Sequence, residues 1–387
     1  MDTVSNELFT LFDANASESP RHAALGAAEA AACAAGNPAS VHRAGRAARA
    51  LLESARERIA GLFGAEIDDV VFTSGGTEAN ALALHGVARP VLYGATEHDA
   101  VRHAAPAGAQ GLAVQSDGRL DPDTLSAALA ATQGRALVCL MLANNETGVL
   151  HPVAAAAQIC RAHGAWLHVD AVQAAGRLPL DLASLGADSM ALSGHKLGGP
   201  QGAGALLLGG ARRGRLPPML LGGGQEQGRR GGTPALPAIA GFAAAAAVAV
   251  AGMAQAASLH GRLRDRIEQA AIAAGAIACG AAAPRLPNTT CLALPGRAAA
   301  AQLIALDIAG YGVSAGSACS SGKLAPSHVL DAMGLGVLAG QAIRVSLPWD
   351  VQEASVDGFI AAYIRMAAGP ESHPESHPES HPESHAA

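Results

Sequence analysis

Short, continuously apolar runs, several of them ending in polar residues that carry chemistry, constrain this fold more than any other feature. The runs are residues 70–72, 91–93, 136–142, 166–169, 189–192 and 205–208. Most are separated by alanine-rich segments of helical character. Strands that are apolar throughout are buried on both faces. Their alternation with helices predicts an α/β fold with a mainly parallel sheet covered on both sides. In such sheets ligands bind beyond the carboxyl ends of the strands. Polar residues recur at those ends: Thr73-Ser74, Asn144-Asn145-Glu146, Asp170 and Ser193-Gly194-His195-Lys196.

Residues 41–63 read as a helix that leads into the first strand. That strand runs into Thr73-Ser74-Gly75-Gly76-Thr77, a glycine turn opening a further helix. After about residue 256 the pattern changes. Residues 263–274 are helical, and β-like pieces follow around 289–294 and 343–347. The expected division is a large domain over 16–255 and a smaller α+β domain from 1–15 and 256–369. Residues 370–385 repeat Pro-Glu-Ser-His four times. Proline at every fourth position forbids a helix, so a solvated, disordered tail is expected over 370–387. Residues 235–257 carry no charge and are long enough to span a bilayer. They are mostly alanine, interrupted by Pro237, Gly241 and Gln255, which predicts one long buried or half-buried helix instead of a span.

The net charge of −6 and pI near 6.2 argue against a nucleic-acid binder or a polybasic membrane anchor. Residues 1–15 are acidic and polar, without a signal-peptide core. The six cysteines form no C-x-x-C pair, and no His/Cys cluster has zinc spacing. A reducing, cytoplasmic setting is the expectation.

Four groups carry the chemistry. Lys196 follows a buried strand, and a desolvated lysine becomes a nucleophilic amine able to form a Schiff base. By itself it also fits a surface lysine after a strand, although the chain has very few lysines. Asp170 ends an apolar strand, where a carboxylate needs a cationic partner. A pyridinium nitrogen is one such partner, and a helix N-cap is the other reading. The turn Thr73-Ser74-Gly75-Gly76-Thr77 is a ready anion site. It is not a Walker loop: the nearest match, from Gly316 to Lys323, has one residue too many between its glycines. Cys319 sits in a run of small residues. It is either an inert loop thiol or one that delivers a thiolate to a site elsewhere.

Together the motifs closely resemble cysteine desulfurases of the NifS/IscS type, among the class V aminotransferase-like enzymes. The resemblance covers about residues 12–347. Its motifs occur in family order: Phe12-Asp13-Ala14-Asn15-Ala16, Gly36-Asn37-Pro38-Ala39-Ser40-Val41-His42, residues 73–80, Thr96-Glu97-His98, Asn144-Asn145-Glu146-Thr147-Gly148, His168-Val169-Asp170, Ser193-Gly194-His195-Lys196, Arg230-Gly231-Gly232-Thr233, the Cys319 loop and Ile343-Arg344-Val345-Ser346.

The resemblance implies a type I pyridoxal-phosphate transferase fold with a seven-stranded sheet. It implies conversion of L-cysteine to L-alanine, with Cys319 taking the sulfur as a persulfide for an acceptor. That acceptor would be an iron–sulfur scaffold protein or another sulfur-using pathway, including tRNA thiolation. Cys319 is then also an expected transient ligand of iron–sulfur species. Lys196 is implied to hold pyridoxal 5'-phosphate and move protons, Asp170 to pair with the ring nitrogen, and His98 to stack on the ring and serve as acid or base. Gln173 would bond the ring hydroxyl. Gly76, Thr77, Ser193 and His195 would bind the phosphate, with Thr233 arriving from the partner in a homodimer. Asn145 and Arg344 would hold the substrate carboxylate, and Asn145 also lies against the cofactor. The loop before Pro326 resembles the subgroup with a long catalytic loop. A selenocysteine lyase, or another class V lyase or aminotransferase, is the alternative enzyme. The chain departs from the family at Ala14, Ser17, Gly198, Gln201, Gln225 and Gln227.

Overall fold

The computed structural model describes residues 9–34, 36–212, 216–316 and 325–369. Cys319 and the Pro-Glu-Ser-His tail lie outside the described residues. Twelve strands occur among those residues: β1 (Thr10–Leu11), β2 (Val70–Thr73), β3 (Val91–Gly94), β4 (Gln110–Leu112), β5 (Leu137–Cys139), β6 (Trp166–Asp170), β7 (Ser189–Ser193), β8 (Gly204–Leu208), β9 (Ile277–Ala278), β10 (Thr289–Ala293), β11 (Tyr311–Gly312) and β12 (Ala342–Ser346).

Seven strands form the main sheet in the order β2-β8-β7-β6-β5-β3-β4. The pairs from β7 through β4 are parallel, and β8 alone runs the other way. The carboxyl ends of β2, β3, β5, β6 and β7 therefore face one crevice. Each of the six apolar runs contains or overlaps one strand. β4 has no apolar run, because it is an edge strand with two of its three residues exposed.

Helices cover both faces. The helix Arg43–Phe63 starts at His42, whose Nδ1 accepts the Gly45 N–H at 3.2 Å, and ends at Gly64 in the left-handed region. It buries Ala48, Leu52, Ala55, Ile59 and Phe63, spaced three and four apart. Burying one such large side chain stabilises by about 1.5–3 kcal/mol. The expected single helix over 235–257 is instead two, Leu236–Ala251 and Met253–Ala273, bent by 71°. The break falls at Gly252, where the chain leaves the main sheet for the smaller unit. Among the described residues no single helix is long and apolar enough to cross a membrane.

The smaller unit pairs β12-β10-β9 antiparallel. Leu263, Ile267, Phe359 and Tyr363 pack there with Phe12 from the N-terminal segment. The Phe12 and Phe359 rings meet edge-on at 5.4 Å. β1 pairs with β11, and Asp13 bridges to Ser346. These pairings carry residues 13–16 from the smaller unit into the crevice of the main sheet.

Candidate active site

Most of the expected site residues line one cavity of about 400 Å3 at the strand-end crevice. Gly76, Thr77, His98, Asn145, Asp170, Gln173, Ser193, His195, Lys196 and Arg344 all contribute. Thr233 does not. It is exposed and lies on a separate, smaller cleft beside Thr73 and Ser74.

One end of the cavity is a helix N-terminus. The helix Gly76–Leu84 starts after Gly75, and no side chain caps it. Gly75 has φ 157° and ψ −176°, a conformation open essentially to glycine. A Cβ on Gly204 of β8 would sit 2.7 Å from the Gly75 Cα, so the two backbones approach as closely as glycine allows. The result is a pair of open N–H groups, at Gly76 and Thr77, with Ser193 and His195 on the same cavity wall. Such a place favours an anion of phosphate size. His195 accompanies it as a neutral imidazole: burial first, and then the Lys196 charge, push its pKa down to about 4.

Lys196 ends the 3-10 turn after β7. Its Nζ donates to the carbonyls of Asn15 at 2.5 Å and Ala16 at 2.7 Å. Burial, followed by the Arg344 and Arg177 charges, pushes this amine down to about 7. Asp170 ends β6 with both carboxylate oxygens bonded: Oδ2 accepts from Asn80 Nδ2 at 2.7 Å and Oδ1 from the Val172 N–H at 3.0 Å. His98 caps the helix Asp99–Arg102, its Nδ1 accepting the Ala100 N–H at 3.0 Å. A neutral His98 therefore carries its proton on Nε2. Gln173 gives its Nε2–H to the Asn15 carbonyl at 3.0 Å and accepts from Arg177 through Oε1 at 2.6 Å.

Arg344 projects from β12. Its Nη2 donates to Asp13 Oδ1 at 2.5 Å and its Nη1 to the Asn145 carbonyl at 3.1 Å, while Nε is buried with no partner among the described residues. Arg344 lines the cavity, and a guanidinium placed there is suited to a ligand carboxylate.

Motif residues that had been given no role complete the setting. Asn15, buried, spans both units: its Nδ2 donates to Thr289 Oγ1 at 2.9 Å and to the Asn145 carbonyl at 3.0 Å. Glu97 is fully buried. Its Oε1 accepts the Met141 N–H and its Oε2 has no partner among the described residues. Burial, then the Asp170 charge, holds its carboxyl well above the usual carboxylate range. Glu146 accepts from Ser327 Oγ at 2.5 Å. A position in a motif does not reveal these roles, because each depends on a contact from a distant segment.

A model of the class V aminotransferases matches residues 10–359. This chain belongs to the class V aminotransferase family. A cysteine desulfurase from Nostoc sp. is 41% identical over 342 residues, covering 84% of each chain. A NifS-like protein from Rickettsia africae has a solved structure matching 93% of this chain and 99% of its own, with TM-score 0.87 and 32% identity. The structure of SspA in complex with cysteine matches 88% of this chain and 99% of its own, with TM-score 0.74 and 27% identity. The central sheet and smaller unit of this family member are those of a NifS-like fold.

Proposed function

We propose that the cavity holds pyridoxal phosphate at Lys196 and takes L-cysteine beside it, with Cys319 receiving the sulfur. The enzyme is a pyridoxal-phosphate-dependent cysteine desulfurase. One observation carries the reading: Lys196, one of only two lysines in the sequence, has an amine pushed down to about 7 in the same cavity as Asp170.

The donor set fits the cofactor. The Gly76 and Thr77 N–H groups, Ser193 and His195 would hold its phosphate. Asp170 would face the ring nitrogen, Gln173 the ring hydroxyl, His98 the ring face, and Asn145 its edge. Bound there, the group draws electrons from the substrate and makes loss of its sulfur feasible. The chain's own residues do the rest. Arg344 and Asn145 fix the substrate carboxylate and with it the orientation of the Cα–H bond. Lys196 Nζ takes and returns protons near neutral pH, which suits an amine with a pKa of about 7. His98 Nε2–H supplies a second proton. The Cys319 thiolate attacks the substrate sulfur and keeps it as a persulfide, while the carbon skeleton leaves as L-alanine.

In this reading a homodimer brings the exposed Thr233 of a second copy to the phosphate. The persulfide sulfur passes to an iron–sulfur scaffold or another acceptor, with Cys319 as a transient cluster ligand. The setting is cytoplasmic, and the domain division is 16–255 against 1–15 with 256–369.

The test is purified enzyme with L-cysteine and a reductant, scored for alanine and sulfide. Wild type is expected to make both, and Cys319→Ala neither. Full turnover by Cys319→Ala would sink the persulfide step and favour a lyase. Arg344→Lys keeps the charge but loses the planar fork, so KM for L-cysteine should rise roughly 50-fold while the melting temperature stays near wild type. An unchanged KM would remove Arg344 from carboxylate binding.

A further inference from the structure

A buried chain of side chains runs back from Asp170 through the main sheet. Asn80, from the helix Gly76–Leu84, donates Nδ2–H to Asp170 Oδ2 at 2.7 Å. Its Oδ1 lies 2.9 Å from His168 Nε2. His168 Nδ1 lies 2.9 Å from Ser189 Oγ on the neighbouring strand, where the two residues are register partners. Asn80, His168 and Ser189 are each at most 1% exposed.

The donor sense of every link follows from chemistry. An ionised carboxylate only accepts, so Asn80 must turn its NH2 toward Asp170 and its carbonyl oxygen toward His168. His168 must then carry a proton on Nε2. Burial and the Arg212 charge push its pKa down to about 3, so the ring is neutral and Nδ1 accepts. Ser189 is left as the donor. Every dipole in the chain points at the same carboxylate oxygen, and the Val172 N–H serves the other. Glu97, the neighbouring buried carboxyl, has one backbone donor and no partner for Oε2 among the described residues.

We propose that Ser189, His168 and Asn80 form a one-directional relay that fixes the Asp170 carboxylate in rotation. His168 and Asn80 are thus positioning residues for the cofactor ring. This rests on the reading that Asp170 faces the ring nitrogen. Without Asn80 the carboxylate loses its only side-chain donor among the described residues and is free to turn away from the ring nitrogen.

The first measurement needs no substitution. Wild-type protein labelled with 15N-histidine, free of cofactor, should show His168 as the neutral Nε2–H tautomer throughout pH 6–8, its signal assigned by loss in His168→Gln. An Nδ1–H tautomer, or a charged ring, would reverse the links and overturn the proposal. The second is pyridoxal phosphate affinity together with the absorption of the bound cofactor. Asn80→Ala should weaken binding about tenfold, roughly 1.4 kcal/mol, and change the pH dependence of the absorption band. His168→Gln, whose amide can still donate to Asn80, should stay within about twofold of wild type, while His168→Leu should resemble Asn80→Ala. If Asn80→Ala matches wild type while Asp170→Ala does not, the relay is wrong and the role of Asp170 survives. If Asp170→Ala also matches wild type, the reading of the site fails instead.

Discussion

Lys196→Ala protein is expected to turn over L-cysteine at least about 10^3-fold more slowly than wild type, because it loses both the covalent anchor and a proton carrier. It should also lose the Schiff-base absorption while keeping its fold. A second experiment asks which amine is used. Borohydride reduction of loaded wild type, followed by proteolysis and mass spectrometry, should place the cofactor on the Lys196 peptide. The only other lysine is Lys323. The rate at which cofactor-free protein captures pyridoxal phosphate should carry the mark of the depressed amine. Below its pKa of about 7 the amine is mostly charged, and the rate should fall about tenfold per pH unit. Above it the rate should level off. An ordinary lysine amine would keep gaining reactivity to beyond pH 10. A rate still climbing at pH 9, or a label on Lys323, would refute the assignment.

Much of this site was legible because parallel α/β sheets put their chemistry where apolar strands stop. Asp170 and Lys196 each follow such a run, and the structure brings both to one cavity. The edge strand β4 was illegible for the complementary reason: Gln110 and Gly111 are exposed and show no apolar run. The break at Gly252 was hidden because the alanine-rich pattern continues on either side of it and a lone glycine inside such a run does not by itself signal a bend. Asn15 and Asn80 stood in recognised motifs, but their work lies in contacts across 274 and 90 residues of sequence, which no local pattern records. The clamp on the turn at residues 225–228 was invisible too. Its partner, Arg56, sits in a helix where one arginine among several reads as a solvated face.

That clamp gives the largest expected effect on stability. Glu226 and Gln227 both adopt left-handed backbone, φ 49° and 57°. Non-glycine residues pay about 1–2 kcal/mol each for this conformation, so something must hold the turn. Arg56 grips the Glu226 carboxylate at both oxygens, each at 2.8 Å, and the Phe72 N–H donates to the same group at 2.8 Å. Side chains of both partners are more than nine-tenths buried. Glu226→Gln is close to isosteric and can still accept from Phe72, but it leaves the buried guanidinium only the half-exposed Glu53, 3.1 Å from its Nε, as a counter-charge. The expected loss is about 3–5 kcal/mol, a fall of roughly 5 °C in melting temperature for a chain of this size. Adding Arg56→Met should recover part of that loss, because the buried charge that has lost its bidentate partner goes with it. The damage should not stay local. The turn leads into Arg230, whose Nε bonds Glu78 Oε1 at 2.8 Å in the first turn of the helix that forms the anion cradle. Glu226→Gln should therefore also weaken retention of pyridoxal phosphate. If the single variant melts within about 1 °C of wild type, or the double variant melts lower than the single, the buried pair is not what holds this turn.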